Sequence, residues 1–183
     1  VSVAGPQIGR ELQEGKIDEA TPVPILYVEV DGTGVPMVAN ELAGRKGKQP
    51  DGTAKTREAK LCAIFTQTKC DEEGLPQRDY GSTTYVGNFE ASEAFGLSVR
   101  HEAQRRGAGR AKKIVFLGDG AIWVWELKRV NFPDAIEILD LFHALEHLDE
   151  LSNRLYPSES SAKDMTTAWF EMLKNDGVAL GIA

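Results

Sequence analysis

The sequence predicts an α/β fold, a mixed five-stranded sheet flanked by helices. Three observations carry that prediction. Short runs of β-branched and aromatic residues, bounded by Gly, Pro and Asp, recur along the chain and read as strands. The first three follow one another with no helix between them, which suits an antiparallel meander. A helical pattern then separates the third run from the fourth, and a crossover of that kind places the fourth strand parallel to one already in the sheet. At 183 residues and 42% hydrophobic composition, the chain suits one core with an appended helical segment.

Residues 1–24 mix Gly, Pro and charge and read as a linker or the tail of an upstream region. "ILYVEVDGTGVPMV" is a strand that should reach a turn or bulge at Gly32 to Gly34 and then resume. "GRKGKQPDGT" is a loop by composition. "AKLCAIFTQT" and "STTYVG" are the next two strands, separated by the turn-rich "CDEEGLPQRDYG". Asn88 is placed to cap a helix that runs to about Arg106, with Gly107 as its stop and Ala91, Phe95 and Val99 on one face.

"KKIVFLGDGA" is the clearest strand, closing on Gly-Asp-Gly, and "WVWELKRVNF" is ambiguous but fits a short helix. "AIEILDLF" reads as a fifth strand. A helix carrying Leu145, Leu148, Leu151 and Leu155 should end before Pro157, and a last helix carries Met165, Ala168, Trp169, Met172 and Leu173 and stops at Gly177. The order resembles the ribonuclease H-like core, in which the first strand is central and the fourth lies parallel beside it.

The net charge of −7 is unevenly spread. Residues 134–171 hold nine acids against two bases, which accounts for all of it. The neutral remainder contains two basic clusters. "RHEAQRRGAGRAKK" gathers Arg100, Arg105, Arg106, Arg110, Lys112 and Lys113; Arg45, Lys46, Lys48, Lys55, Arg57 and Lys60 form the second. Either is suited to a phosphate backbone or to an ordinary solvated surface. No apolar run approaches the roughly 20 residues that span a bilayer, so the chain reads as soluble and cytoplasmic, with no membrane partner. Cys62 and Cys70 match no redox or zinc spacing and read as a buried apolar residue and a loop thiol.

Two features carry candidate chemistry. Asp31 on the first strand and Asp119 at the end of the fourth become neighbours if the crossover rule holds. Paired carboxylates favour a hard divalent cation such as Mg²⁺, and the flanking Gly32 and Gly120 would let a phosphate chain approach closely. Asp-Gly is also an ordinary turn dipeptide. The second feature is "HALEH": His143, Glu146 and His147 spell the H-x-x-E-H of some zinc peptidases, in which two helical imidazoles grip zinc and the glutamate acts as base. That reading needs a third ligand from elsewhere.

"VEVDGTGVPM", "TREAKLCAIF", "DYGSTTYVG", "IVFLGDGAIWVWEL" and "FPDAIEILDLFHALEHL", in that order, resemble the catalytic core of bacterial insertion-sequence transposases of the ISKra group, relatives of the Mutator-like transposases. The resemblance implies a DDE transposase with a ribonuclease H-like fold that cleaves and transfers DNA strands with Mg²⁺, for which Mn²⁺ substitutes, acting as a homo-oligomer on transposon ends and target DNA. Asp31 and Asp119 match the first two catalytic aspartates and metal ligands. Asp140 and His143 match an Asp-x-x-His pair that supports the site. Arg105, Arg106, Arg110, Lys112 and Lys113 are the candidate DNA contacts. Residues 25–157 would be the core and 158–183 the start of a C-terminal helical insertion, truncated before the family's catalytic glutamate. A non-catalytic DNA-binding or assembly remnant is the other reading of such a fragment.

Overall fold

The computed structural model describes residues 23–47, 49–156 and 158–173. Among the described residues, seven strands and four α-helices follow in order: β1 (Val23–Pro36), β2 (Thr56–Thr66), β3 (Lys69–Cys70), β4 (Pro76–Gln77), β5 (Thr84–Asn88), α1 (Ser92–Arg105), β6 (Ala111–Gly118), α2 (Ile122–Asn131), β7 (Ile136–Leu139), α3 (Leu141–Leu155) and α4 (Glu159–Met172). They fall into two compact units that divide between Ile138 and Leu139.

The first unit is built on a five-stranded sheet in the order β5-β2-β1-β6-β7. β1 pairs antiparallel with β2 and parallel with β6, while β5 runs antiparallel to β2. A central first strand with the fourth core strand parallel beside it is the ribonuclease H-like arrangement. Strand alternation explains which face is covered. Leu26, Val28 and Val30 share a face with Cys62 and Ile64 of β2 and Val86 of β5, and all six are buried. Phe95, Val99 and Ala103 of α1 and Val124 and Leu127 of α2 join the same core, as does Phe116 of β6.

Four sequence expectations change. β1 does not turn or bulge at Gly32 to Gly34: it pairs with β2 without a break from Leu26↔Thr66 to Pro36↔Thr56. Glycine permits a turn but does not impose one, and a long partner strand holds the backbone extended. Asn88 does not cap α1. It ends β5, opposite Lys60, and its Oδ1 accepts from the Glu90 amide at 3.1 Å; the helix starts four residues later, with Ala91 exposed at its cap. The turn-rich segment after β2 contains a small hairpin, β3 with β4, closed by Asp71, whose Oδ1 accepts from the amides of Glu73 and Leu75. The fifth strand is limited to Ile136–Leu139, because Leu141 and Phe142 already belong to α3.

Other expectations hold. Gly107 takes the left-handed conformation, φ 96°, that stops α1. "WVWELKRVNF" is helical, and its buried Lys128 ties the following turn down: Nζ donates to the Pro133 carbonyl and pairs with Glu137 of β7, both at 3.0 Å. Cys62 is buried, and burial pushes its thiol well up, so it behaves as a small apolar residue; Cys70 is exposed. Asp79 closes the loop after β4. Its slight burial raises the carboxyl pKa, but hydrogen bonds from Thr66 and Thr68, with Lys69 nearby, bring it below the usual value. Gly177 lies outside the described residues.

The second unit is the pair α3 and α4. Asp140 caps α3 by accepting from the Phe142 amide at 2.9 Å. The contact between the helices is small and polar: buried Ser152 bonds Thr166 at 2.5 Å, Thr166 also donates to Asp149, and Tyr156 packs against Trp169. The helix carries Leu145, Leu148, Leu151 and Leu155 and ends before Pro157 as expected; Leu151, Leu155 and Phe142 are exposed. No helix among the described residues is long and apolar enough to cross a membrane.

Gly118 shows how tightly the end of β6 meets α2. A Cβ there would stand 2.5 Å from Cγ1 of the fully buried Val124. Gly118→Ala is therefore expected to lower unfolding free energy by about 1–3 kcal/mol through overpacking, measured by urea denaturation; an unchanged midpoint would show that the helix yields freely.

Candidate functional site

The last parallel pair between β1 and β6 is Val30↔Gly118, so Asp31, within β1, and Asp119, just past β6, each follow directly where the pairing of the two strands ends. Strand spacing of about 4.8 Å sets the scale of their separation. Asp31 is exposed and Asp119 partly buried. Each carboxylate uses one oxygen locally. Asp31 Oδ1 accepts from the Gly32 amide at 2.6 Å, and Asp119 Oδ1 accepts from the Ala121 amide at 2.9 Å, fixing the turn into α2. Oδ2 of each is the oxygen available to a ligand.

The two glycines serve different ends. Gly120 has φ 96°, a conformation that disfavours any side chain and lets the chain turn sharply between Asp119 and α2. Gly32 makes room inside the protein: a Cβ there would lie 3.0 Å from both Glu58 Oε1 and the Trp123 ring. The sequence pattern suggests that this space is kept for a phosphate, but these side chains occupy it. Trp123 is a packing residue, edge-on to Phe95 with Lys60 Nζ 5.3 Å from its ring centre. The Glu58–Lys60–Trp123 group has no signature in the sequence. The register Gly32↔Lys60 is what reveals it, and no local motif marks it.

The basic residues separate by role. Arg105, Arg110, Lys112 and Lys113 are exposed, and Lys112 and Lys113 line a cleft with Arg100 and Asn131. Arg106 is turned inward, donating from Nη2 to the Ser82 carbonyl, so it joins α1 to the loop before β5. In the second cluster, Lys60 is buried and paired with Glu58 at 2.9 Å, and Arg57 donates to the Phe89 carbonyl while stacking on its ring. Lys48 lies outside the described residues.

Lys112 and Lys113 enter at the start of β6 and Asp119 follows its end, so cluster and carboxylates lie at opposite ends of one strand, roughly 20 Å apart at about 3.3 Å per residue.

Asp140 and His143 belong to the second unit. Asp140 Oδ1 is engaged as the cap of α3. His143 and His147 face each other across one turn, their Nε2 atoms 3.1 Å apart, and Glu146 Oε2 lies 3.6 Å from His143 Nδ1. Among the described residues, no three His, Cys, Asp or Glu side chains gather where they could hold one metal ion. The third ligand that zinc peptidase chemistry requires is therefore missing among them. The aspartate pair supplies two hard oxygen donors of the type Mg²⁺ takes, with the rest of a shell left to water or phosphate.

No family model and no curated protein matches the sequence. Solved structures to which the chain is similar include two transposase complexes. One is the Drosophila P element transposase strand transfer complex, at 10% identity and a TM-score of 0.38, covering 82% of this chain and 41% of that one. The other is the Mos1 transposase paired-end complex with left transposon end, at 12% identity and a TM-score of 0.29, covering 95% and 54%. The chain thus spans about half or less of those chains. Likeness at this level assigns no role to any residue, and the site is argued from its own geometry.

Because Asp119 Oδ1 holds the turn into α2, its substitutions should separate by shape. Asp119→Asn keeps the acceptor and should leave stability within about 0.5 kcal/mol, whereas Asp119→Ala loses the bond and about 1 kcal/mol. Thermal unfolding of both variants checks this; equal losses would mean that the bond contributes nothing.

Proposed function

We propose that the first unit is the catalytic core of a DDE transposase, of the ISKra group and Mutator-like type that the sequence blocks resemble, and that it carries out metal-dependent DNA strand cleavage and transfer. The observation that supports this most is the pairing Val30↔Gly118, after which an Asp-Gly step follows on each of the two adjacent parallel strands. Asp31 and Asp119 would hold Mg²⁺, or Mn²⁺ in its place. A bound divalent cation would supply charge stabilisation at a scissile phosphate.

The chain's own contribution is positional. β1 is fixed on both sides by neighbouring strands, so Asp31 has little freedom to drift. Asp119 is held by its bond to the Ala121 amide, at the start of a helix whose buried side chains anchor it to the core. DNA would be the substrate, with the protein assembling as a homo-oligomer on it.

Under this reading the exposed cations at the start of β6 contact a duplex away from the scissile phosphate, by about six base pairs at 3.4 Å rise. Arg106 contributes to folding instead.

Mn²⁺ titration of the Asp119→Asn variant tests the metal assignment. Affinity should fall about tenfold or more with the fold intact; unchanged affinity would remove Asp119 from the site. A second measurement concerns salt. Neutralising Arg105, Arg110, Lys112 and Lys113 should flatten the plot of log DNA affinity against log salt by about 0.9 for each duplex phosphate that these side chains neutralise in the wild type. The same slope in wild type and variant would return these residues to an ordinary solvated surface.

A further inference from the structure

The two histidines of α3 lie in the second unit, and the aspartate pair lies in the first. The histidines sit four residues apart, one helical turn, with ring centres 4.7 Å apart and ring planes at 89°. Their Nε2 atoms are 3.1 Å from each other. Two imidazoles bound to one tetrahedral zinc at 2.0–2.1 Å place their nitrogens about 3.3 Å apart. The observed separation is within a few tenths of an ångström of that value, without any change of rotamer. His147 is exposed and His143 is about a third exposed at its side chain, so an ion in solution can reach the pair.

The surroundings suit the same ligand. Glu146 Oε2 stands 3.6 Å from His143 Nδ1. That distance is longer than a hydrogen bond, but it puts a negative charge beside the nitrogen that must keep its proton when Nε2 offers its lone pair. The histidine nitrogens select borderline metals, Zn²⁺, Ni²⁺ or Cu²⁺, over the Mg²⁺ and Mn²⁺ suited to carboxylates.

We propose that His143 and His147 form a bidentate site for a borderline divalent cation such as Zn²⁺ on the first two turns of α3, separate in chemistry from the aspartate pair. A cation held there links two turns of the helix and favours its folded form. Water or an added ligand fills the other positions of the shell. The site is a metal clamp and not a peptidase centre.

Calorimetric titration of the full chain with NiCl₂ and with ZnCl₂ tests this. One ion per chain should bind at the histidines, with an accompanying rise in melting temperature. His143→Ala and His147→Ala should each weaken binding by about tenfold or more and abolish that rise, whereas Asp119→Asn should change neither. Unchanged Ni²⁺ and Zn²⁺ affinity in both histidine variants would overturn the assignment, as would a loss in Asp119→Asn alone. Mn²⁺ reads the aspartate site and Ni²⁺ the histidine site, so each can fail independently of the other.

Discussion

The parallel pairing of β1 with β6 is the constraint on which the rest depends. It makes β1 central, with β2 on its other side, so that Leu26, Val28 and Val30 are fully enclosed beneath α1 and α2. It also ends at Val30↔Gly118, and that endpoint delivers both aspartates to one place. Gly118 is part of the same device, since its bare Cα lets Val124 and the first turn of α2 come close behind Asp119. Packing and site geometry are thus one arrangement viewed from two sides.

The polar groups around that core divide by what they hold. Lys128, Arg106 and Asp79 are spent on structure, each tying a loop to an element through carbonyl or hydroxyl partners. Asp140 caps a helix. Asp31 and Asp119 are different: each satisfies a nearby amide with one oxygen and keeps the other where the β1–β6 pairing ends. Charge type alone does not separate these classes. Arg105 and Arg106 are adjacent in sequence, yet one is exposed and the other reaches inward to Ser82, because successive helical residues point about 100° apart.

Much of the fold was legible in the sequence. The β-branched runs, the glycine that stops α1 and the helical pattern between the third and fourth core strands are local signals, and the handedness of crossovers turns them into an order of strands. Misjudged positions share one cause. Gly32 and Asn88 were given their commonest local roles, and long-range contacts overrode them: the β2 ladder straightened Gly32 to Gly34, and the pairing with Lys60 kept Asn88 in a strand.

By itself the sequence marked the candidate residues, two Asp-Gly steps and two histidines one turn apart, and the kind of element on which each sits. Only the tertiary structure decided the register that aligns Asp31 with Asp119, the distance that sets Lys112 and Lys113 at the far end of the same strand, and the side chains that fill the space beside Gly32. Local propensity acts over a few residues, whereas register and burial are settled by contacts between residues about 20 to 90 positions apart.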